Sequence, residues 1–173
     1  MTDENRIDEL IADLQEGSME VRRAATDELG ARGEAAIEPL IAVMRESDND
    51  VRWYAARALV RIGEPAVEPL LRAMHAGEDR DFRRYAMAAL AGIGAPAVEP
   101  LIAVIEEGDP DLQPFAAMAL CKIGEPAIDP ILRLMHHPDP AMQERAALLL
   151  WKMGEPGAEA LTAALETGWA GKR

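Results

Sequence analysis

Histidine, cysteine and serine are the side chains from which metal sites and covalent catalysis are most often built, and this chain of 173 residues has few of them. The histidines are His75, His136 and His137. His75 and His136 fall in one column of a repeat, two repeats apart, which at about 8–10 Å per packed helix puts them roughly 20 Å from each other. A zinc-type site needs several donors within about 2 Å of one ion, so these two cannot share a metal. Each stands near a helix C-terminus, where the dipole favours a cation, and reads as a solvated cap. Ser18 and Ser47 fall at cap or loop positions with no histidine in register. Cys121, the single cysteine, is expected on an outward helix face with no histidine beside it, and no internal disulfide can form. A phosphate loop of the glycine-rich kind follows a strand, and no strand is legible. No catalytic, metal or cofactor residue is expected.

The side chains that stand out are suited to binding instead. Trp, Arg, Met and Leu stand at outward positions whose residue types vary widely from one copy of the pattern to the next. What positions them is a repeat. Gly33, Gly63, Gly94, Gly124 and Gly154 each follow an apolar run, at spacings of 30, 31, 30 and 30 residues. After them the chain reads GEAAIEPL, GEPAVEPL, GAPAVEPL, GEPAIDPI and GEPGAEAL. Val21, Val51, Phe82, Leu112 and Met142 give the same register, each ahead of an alanine-rich run. A fixed period of this size marks a stacked array, because one helix pair cannot bury its apolar face alone.

Each repeat reads as two helices. The second begins at Ser18, Asp48, Asp79, Asp109 or Asp139, residues whose side-chain oxygens accept from unpaired first-turn amides, with Pro110 and Pro140 at the first helical position. It runs to the next glycine, expected in a left-handed cap. The first helix carries Pro65, Pro96, Pro126 or Pro156 near its start. Pro39, Pro69, Pro100 and Pro130 lie four residues further on, where they either follow an irregular opening turn or bend the helix. The expected fold is all-α, an α-solenoid of about 11 helices in 30-residue repeats. One domain, 1–173, comprises a capping repeat at 1–32, full repeats at 33–62, 63–93, 94–123 and 124–153, and a half-repeat with its tail at 154–173. Thr2 is expected to cap the first helix, and Trp169 to fold back or stay free.

Composition agrees. Hydrophobic residues make up 49% but aromatics only 4%, which favours thin, closely packed helices. The net charge of −13 disfavours nucleic acid, whose non-specific binding rests on cationic surface. The polar, acidic start MTDENRIDEL is not a signal peptide, and no apolar run reaches the roughly 20 residues that span a bilayer. A cytoplasmic protein without membrane contact is expected.

The stretch GEPAVEPLL, continuing to DRDFRRYAMAALAGIG, resembles the short HEAT-like repeats first associated with phycobilisome lyases. The matching features are the glycine stop, the A-V-E-P-L-L start, the capping Asp, the V-R or F-R pair and the A-x-A-L-x-x-I-G end. The resemblance covers about residues 4–167 and implies first helices outside and second helices lining a concave surface. Relatives implied by it include chromophore-lyase subunits, scaffolds and a metal-dependent hydroxylase with paired His-Glu motifs. Here His75 precedes Ala76, His136 precedes His137 and His137 precedes Pro138, so the hydroxylase chemistry is not supported.

At 100° per residue Val51, Ala55, Ala58, Leu59 and Ile62 share the core face, flanked by Arg52 and Tyr54. Three columns point outward: Arg23, Trp53, Arg84, Pro114 and Glu144; Asp27, Arg57, Ala88, Met118 and Leu148; Gly30, Val60, Ala91, Cys121 and Trp151. Their types vary while the core columns hardly do. The expected partner-binding residues are Arg23, Trp53, Arg57, Val60, Arg84, Met118, Cys121, Leu148 and Trp151. The expected function is a non-enzymatic scaffold holding a peptide or partner protein. The alternatives are a phycobilin-lyase-like chromophore-binding subunit and, least favoured, nucleic-acid binding. A homodimer through the apolar C-terminal groove is a further expectation. Tyr54, Tyr85 and Phe115 are expected to stack between repeats, and Arg22, Arg52 and Arg83 to form an inter-repeat ladder with the nearby aspartates.

Overall fold

The computed structural model describes residues 3–77 and 79–167. Thr2 and Trp169 lie outside them. Eleven α-helices follow one another among the described residues, with no strand. First helices are α1 (Asp3–Glu16), α3 (Ile37–Glu46), α5 (Val67–Ala76), α7 (Val98–Glu107), α9 (Ile128–Leu134) and α11 (Glu155–Thr167). Second helices are α2 (Met19–Arg32), α4 (Asn49–Ile62), α6 (Arg80–Ile93), α8 (Gln113–Ile123) and α10 (Pro140–Lys152). The chain is an α-solenoid of helix pairs.

The prolines explain where regular helix begins. Pro65, Pro96 and Pro126 lie in short 3-10 turns, and Pro39, Pro69, Pro100 and Pro130 are the third residues of α3, α5, α7 and α9. The first four amides of a helix have no intrahelical acceptor, so an N–H missing there costs no helix bond. The irregular opening turn is thus the correct alternative. In the last copy Ala160 replaces the inner proline, and α11 starts as regular helix at Glu155.

Second helices are capped as the sequence implies, with one exception. Ser18 accepts from the Val21 amide, Asp48 from Val51, Asp79 from Asp81 and Phe82, and Asp139 from Ala141. Asp109 accepts from the Asp111 amide at 2.8 Å, but this closes only a turn, and α8 begins at Gln113. Pro114 is the reason. It has no N–H to give the Pro110 carbonyl, and its ring would crowd that residue. The terminal glycines also differ from expectation in detail. Gly63 has φ 81° and ψ −139°, so φ is positive but ψ lies far from the left-handed helical value. Only glycine enters that region at little cost, which fits its recurrence.

Contacts divide the chain into two compact units, Met1–Ala97 and Val98–Arg173. In the first, α1, α3 and α5 form one layer and α2, α4 and α6 a second. In the second, α7, α9 and α11 form one layer and α8 and α10 the other. The core lies between layers, where Leu40, Leu59, Leu70, Phe82 and Leu90 in the first unit, and Leu101, Leu112 and Leu120 in the second, are fully buried.

The first repeat differs from the rest at one seam. Interior repeats place buried alanines at Ala36, Ala66, Ala97 and Ala127 and again at Ala58, Ala89 and Ala119. The equivalents in the first repeat are Arg6 and Glu28. Arg6 grips Glu28 through Nε and Nη2 at 3.0 and 2.7 Å, and Arg32 adds a third bond at 3.0 Å. The Arg6 hydrogen bond, with Arg32 behind it, holds the Glu28 carboxyl down to about 2 from an ordinary 4.5. A depressed carboxyl stabilises the fold above its unfolded value and loses that effect as pH falls through its folded one. Glu28→Gln should therefore lower the melting temperature at pH 6, and the difference from wild type should close between about pH 4.5 and 2. A difference that persists at pH 2 would assign the effect to packing.

Candidate functional site: the exposed faces of the second helices

Each second helix turns one side into the core and leaves the other open. On α4, Val51, Ala55, Ala58 and Leu59 are buried and Ile62 half-buried, while Trp53 is 44% exposed and Arg57 is exposed. Arg23 on α2 and Arg84 on α6 are exposed too. The Arg57 guanidinium lies over the Trp53 ring at 4.8 Å, and Trp53 meets Tyr54 edge-on at 4.9 Å. Arg84 lies over Tyr85 at 5.1 Å and pairs with Asp81 at 3.3 Å. In the second unit Met118, Leu148 and Trp151 are 57%, 50% and 67% exposed.

Val60 and Cys121 are only half-exposed. A Cβ added at Gly92 of α6 would stand 2.7 Å from Val60 Cγ2, so Val60 lies in the seam between α4 and α6 rather than on open surface. Burial pushes the Cys121 thiol up from its ordinary value, with Lys152 pulling weakly the other way, which leaves it a poor nucleophile.

Two readings of the flanking columns need correction. Tyr54 pairs with Trp53, and no Tyr54–Tyr85 stack occurs among the described residues. The arginine column is mainly a set of caps. Arg22 donates to the Gln15 carbonyl at 2.9 Å, Arg52 to Met44 at 2.8 Å and Arg83 to Met74 at 3.2 Å. Gln113 and Gln143 continue it, donating to Ile105 and His137. Arg22, Arg52, Arg83 and Gln113 each close the carbonyl end of their own first helix, while the carbonyl that Gln143 takes lies three residues beyond α9. Among the described residues only Arg52 of this column also reaches the next repeat, at Asp79 Oδ2, 2.6 Å away. Burial works against the Asp79 carboxylate, but the amides of Phe82 and Asp81 together with Arg52 outweigh it and hold its pKa below the ordinary value.

Two cavities open on the first unit's second-helix layer. One of about 610 Å³ is lined by Met19, Arg22, Asp50, Trp53, Tyr54 and Tyr85, with Gly17 and Asn49. Another of about 250 Å³ is lined by Arg23, Thr26, Asp27, Tyr54 and Arg57. The second unit has a cavity of about 290 Å³ between α8 and α10, walled by Pro114, Ala117, Arg145, Leu148 and Lys152 among others. Sequence reasoning missed Met19 and Val21, 58% and 39% exposed on α2. Val21 sits in a core column, and the signal against it was that its repeat is the outermost of the array. Among the described residues no group of three or more His, Cys, Asp or Glu side chains converges to hold a metal, and no helix is long and apolar enough to cross a membrane.

A family model for HEAT repeats matches residues 7–91 and 98–173. The chain belongs to the HEAT repeat family. A second model, the PBS lyase HEAT-like repeat, matches residues 82–107 of this HEAT array. A search of curated proteins finds no match. Among solved structures, an engineered protein from the Northeast Structural Genomics Consortium is 22% identical over 95% of this chain and 90% of its own, with a TM-score of 0.37. A designed armadillo repeat protein in complex with the peptide (KR)4 is 14% identical over 94% and 92%, with a TM-score of 0.36. HEAT repeats are generally protein-interaction scaffolds, and the repeat fold is typical of proteins without enzymatic activity.

Proposed function

We propose that this HEAT array is a non-enzymatic interaction module whose second-helix faces hold a peptide or partner protein. The observation that supports this is where its exposed apolar bulk lies. Among the described residues Met19, Val21, Trp53, Met118, Leu148 and Trp151, all on second helices, are the large exposed hydrophobics apart from Leu165 on α11. The first helices α3, α5 and α7, in the facing layers, bury their large apolar residues. Leaving Trp and Met in water forgoes roughly 25 cal/mol per Å² of apolar area, which a partner recovers on covering them. Trp and Arg are also the residues that most often dominate binding energy.

Trp151→Ala combined with Leu148→Ala should abolish capture of partners by the purified protein. The helical circular-dichroism signal should survive, because both side chains project from α10 into solvent. Unchanged capture would remove the second unit's face from the binding surface.

A further inference from the structure

Charge in the first unit is sorted by layer. α1 carries six carboxylates against the single Arg6, whereas α4 and α6 together carry six arginines against Asp50 and Asp81. This concentration of cations is set in a chain of net charge −13. Most of those arginines are engaged. Arg52 and Arg83 bond helix-end carbonyls, Arg61 holds Asp27 at 2.8 Å and Arg84 holds Asp81. Arg57 has no carboxylate partner among the described residues and rests on the Trp53 ring. It lines the 250 Å³ cavity together with Arg23, and the acid in that cavity, Asp27, is the one Arg61 already neutralises. Tyr54 also walls the adjoining 610 Å³ cavity, where Met19, Trp53 and Tyr85 supply apolar surface and Arg22 and Asp50 offset each other.

Building on the reading that second-helix faces bind partners, we propose that the first unit takes an acidic peptide segment in which an aromatic or large aliphatic residue is followed closely by Asp or Glu. The apolar side chain fills the cavity between Met19, Trp53 and Tyr85. The carboxylate sits between Arg23 and Arg57, where charge-assisted, bidentate bonds are the strong ones. Asp50 keeps the carboxylate out of the aromatic cavity and so fixes the peptide's register. A basic peptide would put its cations against Arg23 and Arg57. A nucleic acid would bring a continuous phosphate chain past Asp48, Asp50, Asp79 and Asp81, whereas a peptide carries its charges at discrete positions beside apolar anchors.

The test is a fluorescence-anisotropy titration of the whole protein with a short fluorescein-labelled peptide of Phe–Glu pairs. Phe–Gln, Phe–Lys and Ala–Glu versions serve as controls. The Phe–Glu peptide should bind at least about tenfold tighter than each control at low ionic strength, and weaken as salt is added. Arg23→Glu with Arg57→Glu, both exposed, should reduce its affinity by at least about tenfold without loss of helical signal, as should Trp53→Ala. Equal or tighter binding of Phe–Lys overturns the proposal. If Phe–Gln or Phe–Lys binds as tightly as Phe–Glu and Trp53→Ala abolishes it, the face still holds peptides and only the acidic partner is wrong. If none of the four binds, the first unit's site falls, whatever the Trp151 and Leu148 variant reports.

Discussion

Phe82→Ala should destabilise the protein by about 3–5 kcal/mol. Phe82 is 1% exposed and is the largest of the fully buried side chains. It stands in the first turn of α6, where its amide donates to the Asp79 cap, and the Arg45 guanidinium of the preceding repeat lies over its ring at 5.5 Å while bonding the Ala73 carbonyl at 3.1 Å. One side chain thus joins two repeats and both layers. Truncation removes its transfer free energy and leaves a cavity that Arg45 cannot fill without burying charge. The same column holds Leu112 in the second unit, so Phe82→Leu should cost far less, on the order of 1 kcal/mol. Urea unfolding followed by circular dichroism measures both. Equal losses for the two variants would show that shape at this position is not what matters.

Gly157→Ala should also destabilise, against two simple expectations. Alanine stands at the equivalent place in the four preceding repeats, and alanine is the better helix former by about 1 kcal/mol. Yet a Cβ built on Gly157 would overlap the Leu150 carbonyl oxygen and stand 2.8 Å from Met153 Cβ. One of these neighbours is backbone, which cannot swing aside. Overpacking of this kind costs roughly 1–3 kcal/mol and should exceed the propensity gain. The loss should concentrate in α11, read as faster amide exchange from Glu155 to Thr167 with α7 and α8 unchanged. A raised urea midpoint would show that α11 reaches the geometry of the other repeats when given their residue.

The repeat itself was legible because spacing and caps are local. Glycine stops, capping aspartates and proline positions each follow from one residue's backbone chemistry, and together they place the helices of the array. The outward side of the second helices was legible for Trp53, Arg57, Met118, Leu148 and Trp151, since a 100° rotation separates them from the core column. What escaped depended on neighbours. Val60 is covered because Gly92 lets α6 come close, and no periodicity within α4 contains that fact. Val21 shares the register of buried residues but belongs to the outermost repeat. Tyr54 turned to Trp53, its neighbour in sequence, because a ring contact within one helix needs no match to the next repeat. The start of α8 depends on two prolines at once: Asp109 and Pro110 alone imply a helix from 110, and Pro114 moves the regular helix to Gln113.

The paired Arg6 and Glu28 side chains govern more than acid resistance. They occupy the places where the next repeats carry buried alanines, Ala36, Ala66, Ala97 and Ala127 and Ala58, Ala89 and Ala119, so the first repeat's edge does not look like an interior one. Were both replaced by alanine, that edge would match the interior sites that accept a neighbouring copy. A trailing edge of a separate molecule could then dock there. Such a head-to-tail contact builds a ring where its rotation closes and an open filament where it does not. The Arg6–Glu28 pair instead presents charge at that edge, where a docking neighbour would have to desolvate it.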